Sequence, residues 1–239
     1  MSARGGSATR NPMTADFPTG QSIEQLADAT AAGLAQAAAG SAFQLFGDKR
    51  FRRLARFEQL SQVEQDRIFN ELVVASLVVI MLLLEAPDLR AAPEMQSYLA
   101  GLSKKIPGAY IDHLKTLGLH SQHLQDWDKL IAMRYEEYQR DKHEVRAAAL
   151  RLESADKPLE LDDLAKIQML LPVHTVAIGC HHHICRGSTE GREELFKSTL
   201  NSLAQFYVEL RVRFEGGNIT TLSRARFAVR HWLRRIGKK

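Results

Sequence analysis

The most apolar stretch of the chain is 72–84, LVVASLVVIMLLL, flanked by Glu71 and Glu85. No charge interrupts it, and it shows neither the alternation of a half-buried strand nor one polar helical stripe. A helix apolar on every side must be surrounded by protein or by lipid. A spanning helix takes about 20 apolar residues, so the uncharged run alone is too short to cross a bilayer. The expectation is therefore a buried helix within a bundle, with no transmembrane span.

The flanking segments read as helices of ordinary amphipathic type. Ser61-Gln62-Val63-Glu64 has the capping-box pattern and starts the apolar helix, which Pro87 ends. Ser22 with Gln25 has the same pattern ahead of an Ala-rich helix over 21–46. Segment 49–60 is helical in character, with Phe51, Leu54 and Phe57 among arginines. A helix over 93–105 is expected to break at Pro107-Gly108, and a short one follows over 109–117. From 121 to 152, Leu124, Trp127, Ile131, Tyr135, Tyr138, Val145, Ala149 and Leu152 recur on one helical face.

Asp162 is a candidate cap for a helix over 163–171, and Pro172 either kinks it or opens another. Residues 173–186 include several β-branched side chains, but no second strand is available to pair with them, so helix is the reading. Helices over 189–214 and 222–236 complete the chain. The expected fold class is all-α: a single-domain bundle of eight or nine helices around a buried apolar central helix. Residues 1–20, rich in Gly, Ser, Ala, Thr and Pro, read as a disordered N-terminal tail without a secretory core. Residues 21–239 read as the helical domain.

Net charge changes this picture through its distribution. The whole chain carries +4, but the segment from Leu222 to the end holds seven basic residues and no acid, leaving the rest near −3. There Val229, Trp232, Leu233 and Ile236 form an apolar edge beside Arg226, Arg230, Arg234 and Arg235. A second basic run includes Arg50, Arg52 and Arg53. Such segments suit an acidic protein surface, an anionic membrane surface or nucleic acid. They equally suit a solvated face docked by its apolar edge. The expected function is that of a non-enzymatic helical binding or regulatory protein, using 49–56 and 224–239 as its contact surface.

Candidate chemistry is concentrated in Gly179-Cys180-His181-His182-His183-Ile184-Cys185. Two cysteines this close do not make a disulfide framework, which points to a reducing, cytoplasmic setting. On a helix, His174, His181 and Cys185 share a face, and imidazole with thiolate is ligand chemistry for zinc or iron. Glu71, Asp141, His120 and His123 are the candidate contributors from elsewhere. The alternative function is thus a helical metal-binding protein, of oxidoreductase type. Structurally, Glu71 also reads as a residue of a solvated first turn, and Asp141 as the partner of Arg134 or Lys142. No Walker loop, dinucleotide fingerprint, nucleophile elbow or H-E-x-x-H pair occurs in the chain.

Overall fold

The computed structural model describes residues 22–155 and 158–216. Seven α-helices and two 3-10 turns make up the regular structure among them, with no strand. They are α1 (Ile23–Gly47), α2 (Lys49–Leu54), α3 (Gln62–Leu84), α4 (Gln96–Thr116), α5 (Ser121–Ser154), α6 (Leu161–Ile184) and α7 (Glu193–Phe214). The 3-10 turns are Phe57–Gln59 and Pro93–Met95. The expected tail over 1–20 and the expected helix over 222–236 lie outside the described residues, as do Arg226, Arg230, Arg234 and Arg235.

Caps set several of the boundaries. At α1 both halves of the capping box form, with the Ser22 hydroxyl accepting from the Gln25 amide and the Gln25 side chain accepting from the Ser22 amide. At α3 only one half forms. Ser61 accepts from the Glu64 amide at 3.4 Å, while the Glu64 carboxylate turns to Arg67 and Arg186 instead. The cap of α6 is Glu160 with Asp163, two residues before the expected Asp162.

The expected break at Pro107 is absent, and Pro172 opens no new helix. α4 continues through Pro107, and α6 continues through Pro172. An interior proline removes one backbone hydrogen bond and costs about 3 kcal/mol in an exposed helix. Here Leu102, Ile106 and Tyr110 are buried around the first, and Val173, Val176 and Ala177 around the second. Burial of a large apolar side chain contributes about 1.5–3 kcal/mol each, so packing on both sides offsets the lost bond. The same burial overrides the β preference of Val173 and Val176.

Every residue of α3 from Glu71 to Leu84 is buried. α3 touches α1, α4, α5, α6 and α7, and these five touch one another in that order, α7 returning to α1. All seven helices feed one continuous cluster of buried apolar residues. By length and composition alone α3 could cross a membrane, since the full helix is longer than its uncharged run; its most apolar window has mean hydropathy 2.2, and 83% of that window is buried by the other helices.

Charged side chains tie the ends of the bundle together. Arg211 on α7 reaches the Asp88 carboxylate at 2.9 Å and the Glu215 carboxylate at 2.9 Å. Glu85, which ends α3, accepts from Ser103, Tyr135 and Gln139. At the opposite end of the bundle α3 begins and α6 finishes.

Candidate functional site

A cavity of about 260 Å³ lies where α6 ends against α3 and α5, lined by Arg67, Glu71, Arg134, His182, His183, Arg186 and Gly187. Glu71 arrives on the first fully buried turn of α3, and its residue is 5% exposed. Its carboxylate accepts two bonds from Arg134 of α5, at 3.0 Å from Nε and 2.7 Å from Nη2. This is the two-pronged geometry that guanidinium and carboxylate planes favour. Arg134 also reaches Glu137 at 3.1 Å, and the other Glu137 oxygen meets His183 Nε2 at 2.8 Å. Burial opposes charge on Arg134, but the bond and the charge of Glu71 outweigh it and hold the guanidinium protonated more firmly than usual.

Arg67 closes the C-terminal end of α6. Its Nη atoms donate to the carbonyls of His183 at 2.7 Å and Ile184 at 3.1 Å. The His183 carbonyl also accepts from the Arg186 amide at 3.2 Å, and both carbonyls lie at the negative end of the helix dipole, so a cation there is favourable. Arg186 then leaves the helix in left-handed backbone, with φ of 51°, followed by Gly187 at 81°. That turn swings the Arg186 guanidinium back to Glu64 on α3, to which it donates from Nε at 3.0 Å and from Nη2. The Glu64 carboxyl is held below its ordinary range by the Arg186 bond first, with Arg67 adding to it.

The proposed metal ligands do not converge. His174 is half-buried, and burial pushes its imidazole down to about 4. His181 is buried against α7, its ring 5.5 Å from that of Phe196, and burial drives it toward the neutral form. Cys185 sits one turn on, half-buried, its thiol pushed up by burial against the opposing effect of Arg192 and Arg67. His120 and His123 are exposed at the start of α5, about 21–25 Å along the helix axis from Glu137. Asp141 lies beside Arg140 at 3.4 Å, and Glu71 is occupied by Arg134. No group of three or more His, Cys, Asp or Glu side chains suited to a metal exists among the described residues. The reason is angular: consecutive helical residues point about 100° apart, so a dense run of histidines is dispersed to different neighbours.

Cys180 is fully buried, donates to the Glu71 carbonyl at 3.8 Å, and has its thiol pushed well up by burial. It is a core residue with no thiolate to offer. Beside it Tyr138 is fully buried, and its hydroxyl has no hydrogen-bond partner among the described residues. Gly179 accommodates the Tyr138 ring: a Cβ there would fall 2.2 Å from Tyr138 Cε1.

The solvated first-turn reading of Glu71 and the pairing of Arg134 with Asp141 are both corrected by this geometry. Arg67, Glu137, Arg186 and Gly187 are site residues that the sequence pattern did not single out. The i,i+3 spacings Glu64–Arg67 and Arg134–Glu137 were the available local signal.

The basic segment 49–56 folds as α2 and the turn after it. Phe51 and Phe57 are buried, at 0% and 3% exposure. Arg52 lies over the Phe57 ring at 4.5 Å and the Phe46 ring at 5.5 Å. Arg50 pairs with Glu194 at 2.7 Å. Lys49, Arg53 and Arg56 are exposed and form no ion pair among the described residues. Arg56 also has left-handed backbone, with φ of 59°.

A second cavity, about 560 Å³, lies between α1 and α4, lined in part by Ala31, Ala32, Gly108 and Ala109. Neither cavity is lined by residues 72–84. No family model, curated protein or solved structure matches the chain.

Proposed function

We propose that this chain is a non-enzymatic helical binding or regulatory protein of the cytoplasm that docks on an acidic protein surface. The helices packed around the apolar α3 are its scaffold, α3 serving as the buried centre. Its contact surface is the basic turn 49–56 together with the basic segment 224–239.

The observation that carries the reading is the division of labour within 49–56. The aromatic residues interleaved with its cations point inward, and Lys49, Arg53 and Arg56 point outward. Buried Phe51 and Phe57 offer no face on which a base could stack, which is what sequence-tolerant nucleic-acid sites supply. Nor do they offer an apolar edge to insert between lipids. What remains is a rigid, anchored set of positive charges. Phe43, near the end of α1, is 66% exposed and adds an aromatic anchor of the kind that protein interfaces bury.

The test is equilibrium binding at low salt to three probes: polyglutamate, vesicles containing phosphatidylserine, and single-stranded DNA. The wild-type chain is compared with R53E/R56E and with R230E/R234E/R235E. Polyglutamate binding that both variants weaken by about tenfold supports the reading. Vesicle or DNA binding that survives where polyglutamate binding is absent overturns the choice of partner. Equal binding of all three proteins to every probe overturns the contact surface.

A further inference from the structure

We propose that the cavity at the end of α6 is a binding site for a phosphate group, taken either as free phosphate or as a small phosphate monoester. Three guanidiniums and two imidazoles converge on it from three chain segments: Arg67 on α3, Arg134 on α5, and His182, His183 and Arg186 at the end of α6. At about 260 Å³ it falls just below the roughly 300–1,000 Å³ of sites for drug-sized ligands, so its occupant is small.

Donor accounting favours an anion. Arg186 uses Nε and Nη2 on Glu64, and its Nη1 has no partner among the described residues. Arg67 commits one bond from each nitrogen, leaving a second hydrogen on each Nη. The His182 side chain is exposed at the rim and makes no hydrogen bond among the described residues. The negative end of the α6 dipole would repel an anion, but Arg67 already satisfies the two carbonyls that carry it.

The chemistry of that anion follows from what is already filled. Glu71 is the one carboxylate in the lining, and it occupies the two-pronged face of Arg134. A second flat carboxylate would find no second fork. The donors that remain approach from different directions, which suits a tetrahedral oxyanion with several acceptor oxygens. Glu64 and Glu137 hold the cations from behind without lining the cavity, so the open face presents net positive charge while the cluster as a whole stays balanced.

Arg186 is the residue to remove. Its side chain is 66% exposed, so its loss leaves the core intact. H182Q is the second variant, at an exposed position. Titration calorimetry and thermal melts with inorganic phosphate, glycerol phosphate and succinate, at constant ionic strength in chloride, read the site. The expected result is saturable binding of phosphate or the monoester with a concentration-dependent rise in Tm. R186Q and H182Q should each weaken it by about tenfold, the loss of one charge-assisted bond, with unchanged far-ultraviolet circular dichroism. Succinate binding as tightly as phosphate, a Tm rise matched by chloride, or undiminished binding in both R186Q and H182Q would each overturn the assignment.

Discussion

The pair formed by Glu71 and Arg134 gives the sharpest quantitative test of the fold. Both side chains are nearly out of water, at 7% and 13% exposure, and they meet through two bonds. Removing one partner of a buried ion pair costs about 3–5 kcal/mol, because the other charge is left without compensation. The two single variants are not equivalent here. In E71Q, Arg134 keeps Glu137 at 3.1 Å, and the new amide oxygen can still accept one bond. In R134M, Glu71 has no other cation bonded to it among the described residues, and the apolar replacement cannot donate. R134M should therefore lose about 4–5 kcal/mol and E71Q about 1–3 kcal/mol.

The double variant E71L/R134M removes both charges and fills the space with apolar atoms. Its stability should lie close to wild type, and far from the sum of the E71L and R134M single effects that close the cycle, giving a coupling of at least about 2 kcal/mol. Urea unfolding at neutral pH measures this through the transition midpoint, provided the slope stays constant. The reasoning fails if R134M loses less than about 1 kcal/mol, or if the single effects add to within about 0.5 kcal/mol.

The remaining predictions concern packing and titration. G179A should lose about 1–3 kcal/mol or more in a thermal melt, because its Cβ would sit 2.2 Å from a fully buried Tyr138 ring. G33A, in the exposed middle of α1 with nothing within 4 Å, should gain about 0.4–1 kcal/mol in the same assay. His174 has its folded value lowered to about 4 by burial, against about 6.5 in the unfolded chain. The unfolded chain then takes up the proton first, so this contribution is full above about 6.5 and is lost as pH falls toward about 4. The loss approaches about 3 kcal/mol, and is smaller to the extent that water reaches this half-buried residue. In H174L the urea midpoint should fall less steeply over that window, and an unchanged slope would refute the attribution.

How much of this was legible in the chain depended on the range of the interaction. The Ser22 box and the apolar face of α3 rest on neighbours within a turn, and both emerge from spacing alone. Pro107 misled because the rule for an interior proline is local, while the burial that overrides it belongs to the assembled bundle. The His and Cys run misled in another way. Its spacing correctly assigns faces, but a face has no meaning until its neighbour is known. His181 meets Phe196 of α7, Cys180 meets the backbone of α3, and His183 meets Glu137 of α5. Glu71 and Arg134 lie 63 residues apart, and nothing in either local pattern points to the other.

Backbone conformation adds a constraint that bears on both proposals. The two non-glycine residues with positive φ among the described residues are both arginines, Arg56 and Arg186. Each ends a helical turn at the end of the bundle where α3 begins, the first near the Gln65 bond to Phe57, the second beside Glu64. Left-handed backbone costs an L-residue about 1–2 kcal/mol, and glycine would make the same turn without it. For Arg186 the Glu64 pair offsets part of that cost. Arg56 has no ion pair among the described residues, so its side chain returns nothing visible to the fold. R56G should relieve the strain while losing about 0.5–1 kcal/mol to the greater freedom of the unfolded chain, for a net gain of up to about 1.5 kcal/mol. If the basic turn is a contact surface, the same variant should weaken polyglutamate binding. Stability and binding would then move in opposite directions, as expected of a residue held in a costly conformation for what it touches. A fall in both would make Arg56 a structural residue, and a rise in stability with unchanged binding would remove the turn from the contact surface.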